Sequence, residues 1–280
     1  MRLGAHVYGY RDAEEWAALH VQYGYGAAYW PLPHTAEKAL EEEFAAAARR
    51  HGLVISEVGA WNNLLHRDPA QREKNIRDTI ACLKLADRVG ARCCVNITGS
   101  YADTWDGPHP ANLTEETFRE VVAITRRIID EAAPQHTFYT AEPMPWLYPN
   151  SIGAMQRLLD AVDRPQFAVH VDMCNLINSF DNVYRTGEYT RAFFAAFGPR
   201  IRAVHAKDIR IAGKLTLQIY ETPPGEGVFD HAALLRECAK LSPDLPVMAE
   251  HLEGPMATRR AASFFAGQAQ ALGLEVVKGY

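Results

Sequence analysis

The chain has 280 residues, is 48% hydrophobic and 22% charged, and carries a formal net charge of −5. That is the composition of an ordinary globular enzyme, and it offers no overall basic footprint for nucleic acid or for a membrane surface. No apolar run reaches the roughly 18 residues of a membrane span, and the length suits either two domains or one eight-unit α/β barrel.

Strand-like and helix-like stretches alternate from the start. LGAHVYGY reads as a strand, and DAEEWAALHVQYG as a helix with Asp12 as N-cap and Gly24 as stop. YGAAYWPL is the second strand, ended by Pro31 and Pro33, which cannot donate into a ladder. TAEKALEEEFAAAARRHG is a strong helix that Thr35 could cap and Gly52 closes. LVISEVGAW is rich in β-branched residues and reads as the third strand; the long helix after it carries Pro69 in its first turn. ARCCVNITG is the fourth strand. The loop SYADTWDGPHPANL after it has the length of functional or lid-like loops. Thr114 and Thr117 then bracket the acidic first turn of TEETFREVVAITRRIIDEAA.

The second half keeps the rhythm, with strands in TFYTAEPM, FAVHVDMCN, RAVHAKDIR and PVMAEHLEG and a helix-like stretch after each. The third of these is followed by a polar insertion containing ETPPGEG. Eight right-handed strand–helix units close into a (β/α)8 TIM barrel, predicted as a single domain over 1–280. The five cysteines (Cys82, Cys93, Cys94, Cys174, Cys238) are odd in number and form no CxxC pair. The opening MRLGAHVY has no charged-then-apolar leader. Both points lead us to expect a reducing, cytoplasmic setting.

Each strand of the second half carries one metal-ligating side chain at or near its end: Glu142, Asp172, His205 and Glu250. Active sites of such barrels sit where the strands end, so the four converge on one rim. Three carboxylates crowded together would repel unless a proton or a cation intervenes. Oxygen ligands with one imidazole suit Mn2+, Mg2+ or Co2+ rather than structural zinc. Side chains alternate along a strand, so Lys207 shares the inward face of His205, and His170 that of Asp172. Taken alone, a histidine in an apolar strand is usually a satisfied core residue; His170 and His6 keep that reading. Asp208 and His251 fall out of parity with the ligands and are read as helix-side or loop contacts, not as first-choice ligands. Trp30, Trp61, Trp105 and Trp146 follow predicted strands, where aromatic faces wall a sugar pocket or simply pack under loops.

The order Glu, Asp, His, Glu on strands five to eight, with HAKD and PPGEG, resembles the xylose isomerase-like barrels, a superfamily of sugar isomerases, ketose 3-epimerases, inosose dehydratases and the endonuclease IV group. The resemblance covers essentially the whole chain. It implies that Glu142, Asp172, His205 and Glu250 hold one divalent ion, manganese first, with magnesium and cobalt as alternatives. It implies that Glu142 and Glu250 also move the substrate proton. Asn175 stands where the epimerases carry a histidine three residues after the aspartate; it can donate a hydrogen bond but cannot titrate near neutral pH. Arg210 resembles a substrate-contacting arginine of the family.

The activity expected is isomerisation or epimerisation of a small ketose or related polyhydroxy carbonyl compound through a metal-stabilised enediolate. The proposed catalytic groups are Glu142, Glu250 and Lys207; the proposed substrate contacts are Asn175, Arg210, His170, Trp61, Trp105 and Trp146. Lys207 would hold an oxyanion or substrate hydroxyl, or else form a rim salt bridge with a loop carboxylate. A dehydratase or keto-glycoside-cleaving lyase is the alternative. An endonuclease IV-like nuclease is disfavoured by net charge. The partners expected are a carbohydrate substrate and identical subunits, as a homodimer or homotetramer, with no nucleic acid and no membrane.

Overall fold

A computed structural model describes residues 1–280. Eight parallel strands close a barrel. They are β1 (Arg2–Ala5), β2 (Ala27–Tyr29), β3 (Val54–Gly59), β4 (Cys93–Asn96), β5 (Tyr139–Ala141), β6 (Phe167–Asp172), β7 (Ile201–Ala206) and β10 (Pro246–Ala249), in the ring order β1-β10-β7-β6-β5-β4-β3-β2. Two further strands, β8 (Asp208–Ile211) and β9 (Ile219–Thr222), pair antiparallel outside the barrel. The (β/α)8 expectation therefore holds, and the last barrel strand is the tenth in the chain. No helix is long and apolar enough to cross a membrane.

The helices between the barrel strands are α1 (Ala13–Gln22), α2 (Lys38–Arg50), α3 (Pro69–Val89), α4 (Glu115–Ala132), α5 (Ile152–Val162), α6 (Phe180–Tyr184), α7 (Thr186–Phe197) and α8 (His231–Ala239), with α9 (Gly254–Ala271) after β10. Local signals set most of their ends. Asp12 accepts from the Glu15 N–H, Thr114 from the Thr117 N–H, and Pro69 opens α3. One cap differs from expectation: α2 begins at Lys38 behind Glu37, without a side-chain cap, and Thr35 lies outside it. A lysine three residues after Thr35 cannot close a capping box, so the helix starts later. All five cysteines are free and buried, which agrees with their apolar surroundings in the sequence.

The barrel interior is layered by strand register. Asp172 pairs with His205 across β6 and β7, and Met248 pairs with His205 across β10 and β7. A Cβ on Gly4 would collide with the Ala27 carbonyl and stand 2.6 Å from the Met248 sulfur. Only glycine leaves room there for Met248 to fill the centre of the barrel.

The departure from expectation lies after β7. The RAVHAKDIR segment is two strands, broken at Lys207. The second leaves the barrel and folds back through a hairpin onto β9. Asp208 and Ile209 at its start are buried, whereas Arg210 is exposed and Ile211 partly so, and the strand pairs with β9 instead of a barrel neighbour. Asp208 anchors the segment that follows. Its carboxylate accepts from the backbone N–H groups of Ile209, Gly225, Gly227 and Phe229. A Cβ on Gly227 would collide with that carboxylate, so PPGEG needs its second glycine to wrap Asp208. The loop role read for Asp208 from its parity is what the structure shows.

Candidate metal centre

The four strand-end residues come together. One ligand atom each from Glu142, Asp172, His205 and Glu250 lies within 4.8 Å of the others. Asp172 and His205 belong to strands, whereas Glu142 and Glu250 sit one residue past β5 and β10. Glu142 is tied there by its N–H, which donates to the Asn96 carbonyl at 2.9 Å. The imidazole Nδ1 of His205 stands 3.0 Å from Glu142 Oε1 and 3.0 Å from Glu250 Oε2.

Beneath this cluster is a second one that the sequence did not announce. Glu57 of β3 reaches across the barrel interior. Its Oε1 lies 3.1 Å from His205 Nε2, and its Oε2 lies 3.2 Å from His170 Nε2. All three side chains are buried. The His205 ring is further packed by His170, edge-on with centroids 4.2 Å apart, and by the edge of Tyr29 at 5.8 Å. A carboxylate accepting from Nε2 fixes the tautomer and leaves Nδ1 free to bind a cation. The signal for Glu57 was present in the sequence: a lone carboxylate inside the strand VISEV must find a partner if it is buried.

The titration of these groups follows from the packing. Burial works against charge on His205, but Glu250, Glu57 and Glu142 outweigh it and hold its pKa well above the usual imidazole value. Burial would raise Glu57, yet the two imidazoles bring it down to about 2. Glu142 is raised, by burial first and then by the neighbouring Glu250 charge. Burial also opposes ionisation of Glu250, but His205 and Lys207 overcome it and lower its pKa well below the carboxylate range. Two facing carboxylates are thus displaced in opposite directions.

Lys207 enters the centre itself. It is 3% exposed, and its Nζ stands 2.8 Å from Asp172 Oδ2 and 2.6 Å from Glu250 Oε2. A salt bridge therefore forms, but with buried strand-end carboxylates and not with a loop carboxylate at the rim. The ammonium is close without being well aimed: neither of those two oxygens accepts a directed hydrogen bond. Three carboxylates and one imidazole gathered at one point, with Lys207 as the cation beside two of them, are a donor set of oxygen and nitrogen that fits a small divalent ion. Glu142, Asp172, His205 and Glu250 are the residues that would hold it.

A cavity of about 290 Å3 opens above the cluster, walled by Trp61, Ile97, Trp105, Met144 and Asn175 and floored by Glu142, Lys207 and Glu250. Asn175 is placed by its N–H, which donates to Asp172 Oδ1 at 3.0 Å; its side-chain amide lies 3.5 Å from Glu142 Oε1. Trp105 rides on the long loop after β4, folded by a buried web in which Ser100, Asn112 and Asn63 bond one another's backbone and side chains.

Three sequence-predicted contacts lie elsewhere. His170 is fully buried in the layer under His205, with Nε2 against Glu57 and Nδ1 without a partner, so it lies beneath the cavity and does not line it. Trp146 stands outside the cavity wall, where its indole N–H donates to the Asp106 carbonyl at 2.7 Å and braces the loop carrying Trp105. Arg210 is exposed on β8 opposite Tyr220, carried away from the cavity by the hairpin.

The sequence profile described as Xylose isomerase-like TIM barrel matches residues 13–267. No protein of curated function matches the chain. Among solved structures, 3-keto-D-glucoside 4-epimerase from E. coli is 17% identical with a TM-score of 0.72, covering 95% of this chain and 99% of its own. Endonuclease IV from Thermus thermophilus is 18% identical with a TM-score of 0.72, covering 97% and 100%. The probable 3-DHS dehydratase AsbF from Bacillus anthracis is 15% identical with a TM-score of 0.68, covering 97% and 98%. At these identities the likeness is one of fold, and that fold serves an epimerase, a nuclease and a dehydratase alike.

Proposed function

We propose, from the premise that this chain belongs to the xylose isomerase-like TIM barrel family, that it is a divalent-metal-dependent isomerase or epimerase of a small polyhydroxy carbonyl compound. The observation that carries this reading is geometric: Glu142, Asp172, His205 and Glu250 converge on one point, and Glu142 and Glu250 both line the cavity above it. A divalent ion held by Glu142, Asp172, His205 and Glu250 would supply the Lewis acidity that stabilises a developing enediolate; we place manganese first, then magnesium or cobalt.

The chain's own groups divide the remaining work. One glutamate takes the proton α to the carbonyl and the other returns it on another face or carbon. The Lys207 ammonium, held between Asp172 and Glu250, donates to a substrate oxygen at the cavity floor. Asn175 offers its amide N–H beside Glu142. Trp61 and Trp105 cover the C–H faces of a sugar and exclude water. The nuclease reading is weaker here, because a phosphodiester would meet Glu142, Glu250 and Asp106 in the cavity wall with only Lys207 as a strong cation.

The test is exchange of the α proton with D2O for a panel of ketoses and inososes with added Mn2+. Exchange is expected with at least one sugar, and Glu142→Gln should slow it about 10²–10⁴-fold. A panel with no exchange refutes the reading. A product that absorbs in the ultraviolet as an enone assigns the lyase alternative instead.

A further inference from the structure

A second cavity adjoins the first. It has a volume of about 490 Å3 and lies between the end of β9 and the start of α9. Lys207, Glu250 and His251 belong to the walls of both cavities, so the two are joined at the proposed reacting centre. We infer that the substrate is a glycoside: its reacting sugar unit sits in the tryptophan-walled cavity, and a second, uncharged unit lies in the outer one. This rests on the proton-transfer reading and adds the substrate class to it.

Size argues for two units. Ligand pockets run from about 300 to 1,000 Å3, so the inner cavity stands at the small end and suits a single ring. A lone monosaccharide would leave the larger outer cavity filled with water. The apolar part of the outer wall, beside a larger polar part, includes Pro223, Pro224, Leu252, Met256 and Ala257. Met256 is 69% exposed, an unpacked thioether facing open space. Such a surface gains by covering the apolar face of a sugar or an aromatic ring.

Charge argues that the second unit is neutral. Glu221 is engaged by His251 at 2.8 Å, and Glu250 by Lys207. The outer wall's other ionic groups are Glu226, Glu253 and Arg260, and none of these forms an ion pair. A phosphate or carboxylate on the outer unit would face two free carboxylates against one guanidinium. The junction is also a defined structure. His251 adopts φ 53°, a left-handed conformation uncommon for a residue with a side chain, and its ring is pinned to Glu221 at the end of β9. The hairpin that departs from the barrel pattern thereby supplies one side of the outer cavity.

The test measures α-proton exchange with Mn2+ for each sugar of the panel in four forms: free, methyl glycoside, phenyl glycoside and glucosyl disaccharide. The phenyl glycoside and disaccharide are expected to exceed the free sugar in kcat/KM by at least about tenfold, the smallest discrimination one filled apolar contact gives. Met256→Ser, which removes the exposed thioether, should lower that ratio toward one with an unchanged melting temperature; Met256→Asp is the second variant. A wild-type ratio near one, or variants that lower both classes equally, overturns the glycoside assignment and leaves the proton-transfer reading standing. No exchange with any form overturns both.

Discussion

The floor and the mouth of this barrel treat buried charge differently. On the floor, each oxygen of Glu57 meets an imidazole, and the group is held down to about 2 by His205 and His170 against its burial. In the mouth, Asp172 and Glu250 are nearly as buried, yet each keeps an oxygen with no directed donor, and a lysine ammonium stands between them. Pairing is incomplete in both regions, since His170 Nδ1 on the floor also lacks a partner; what separates them is the cation beside each carboxylate, imidazole on the floor and ammonium in the mouth. His205 belongs to both, with Nε2 turned to the floor and Nδ1 to the mouth.

The sharpest way to break that contrast is to remove the floor. Glu57→Ala leaves two buried imidazoles without their acceptor, and denaturant unfolding should show a loss of about 3–5 kcal/mol. Metal affinity, followed by calorimetric titration with Mn2+, should weaken about 10–100-fold, because the ring that presents Nδ1 is no longer oriented. Stability lost with affinity intact would mean that the floor does not set the mouth.

A smaller effect is expected at Lys207. Lys207→Met removes a cation from Asp172 and Glu250, and the metal-free protein should lose roughly 1–3 kcal/mol. Saturating Mn2+ should restore the melting temperature, since an ion on the same oxygens replaces the missing charge. Failure of Mn2+ to rescue the variant would show that ammonium and metal do not share those oxygens.

The least of the three is a pH effect on the loop that Asp208 anchors. Its burial is outweighed by His231 and by backbone N–H donors, which hold its pKa below the ordinary 3.8. A depressed carboxylate contributes stability that is fully present above its ordinary value and is lost as the pH falls through its lower folded value. Hydrogen exchange at the Gly225 and Gly227 amides should therefore accelerate below about pH 4 before the barrel strands respond. Unchanged protection there at low pH would separate the loop from the Asp208 carboxylate.

Much of this architecture was legible residue by residue. Asp12, Thr114 and Pro69 marked helix starts because capping is decided within a few residues. The convergence of Glu142, Asp172, His205 and Glu250 was legible because each stands at or near the end of an apolar strand, and parallel strands of a barrel finish on one rim. Arg210 and Trp146 were misplaced because neighbouring sequence does not reveal that a strand will leave the barrel after Lys207, or that a tryptophan will brace a loop 40 residues away.

The eightfold strand–helix rhythm and the strand-end positions of Glu142, Asp172, His205 and Glu250 could be read from the residues alone, since both follow from local periodicity and from where apolar runs stop. Three features needed the folded chain: Glu57 orienting His205 from 148 residues away, Lys207 lying inside the carboxylate cluster, and two cavities sharing its walls. Those contacts cross the barrel interior, and which side chains meet there depends on the closed register of all the strands together.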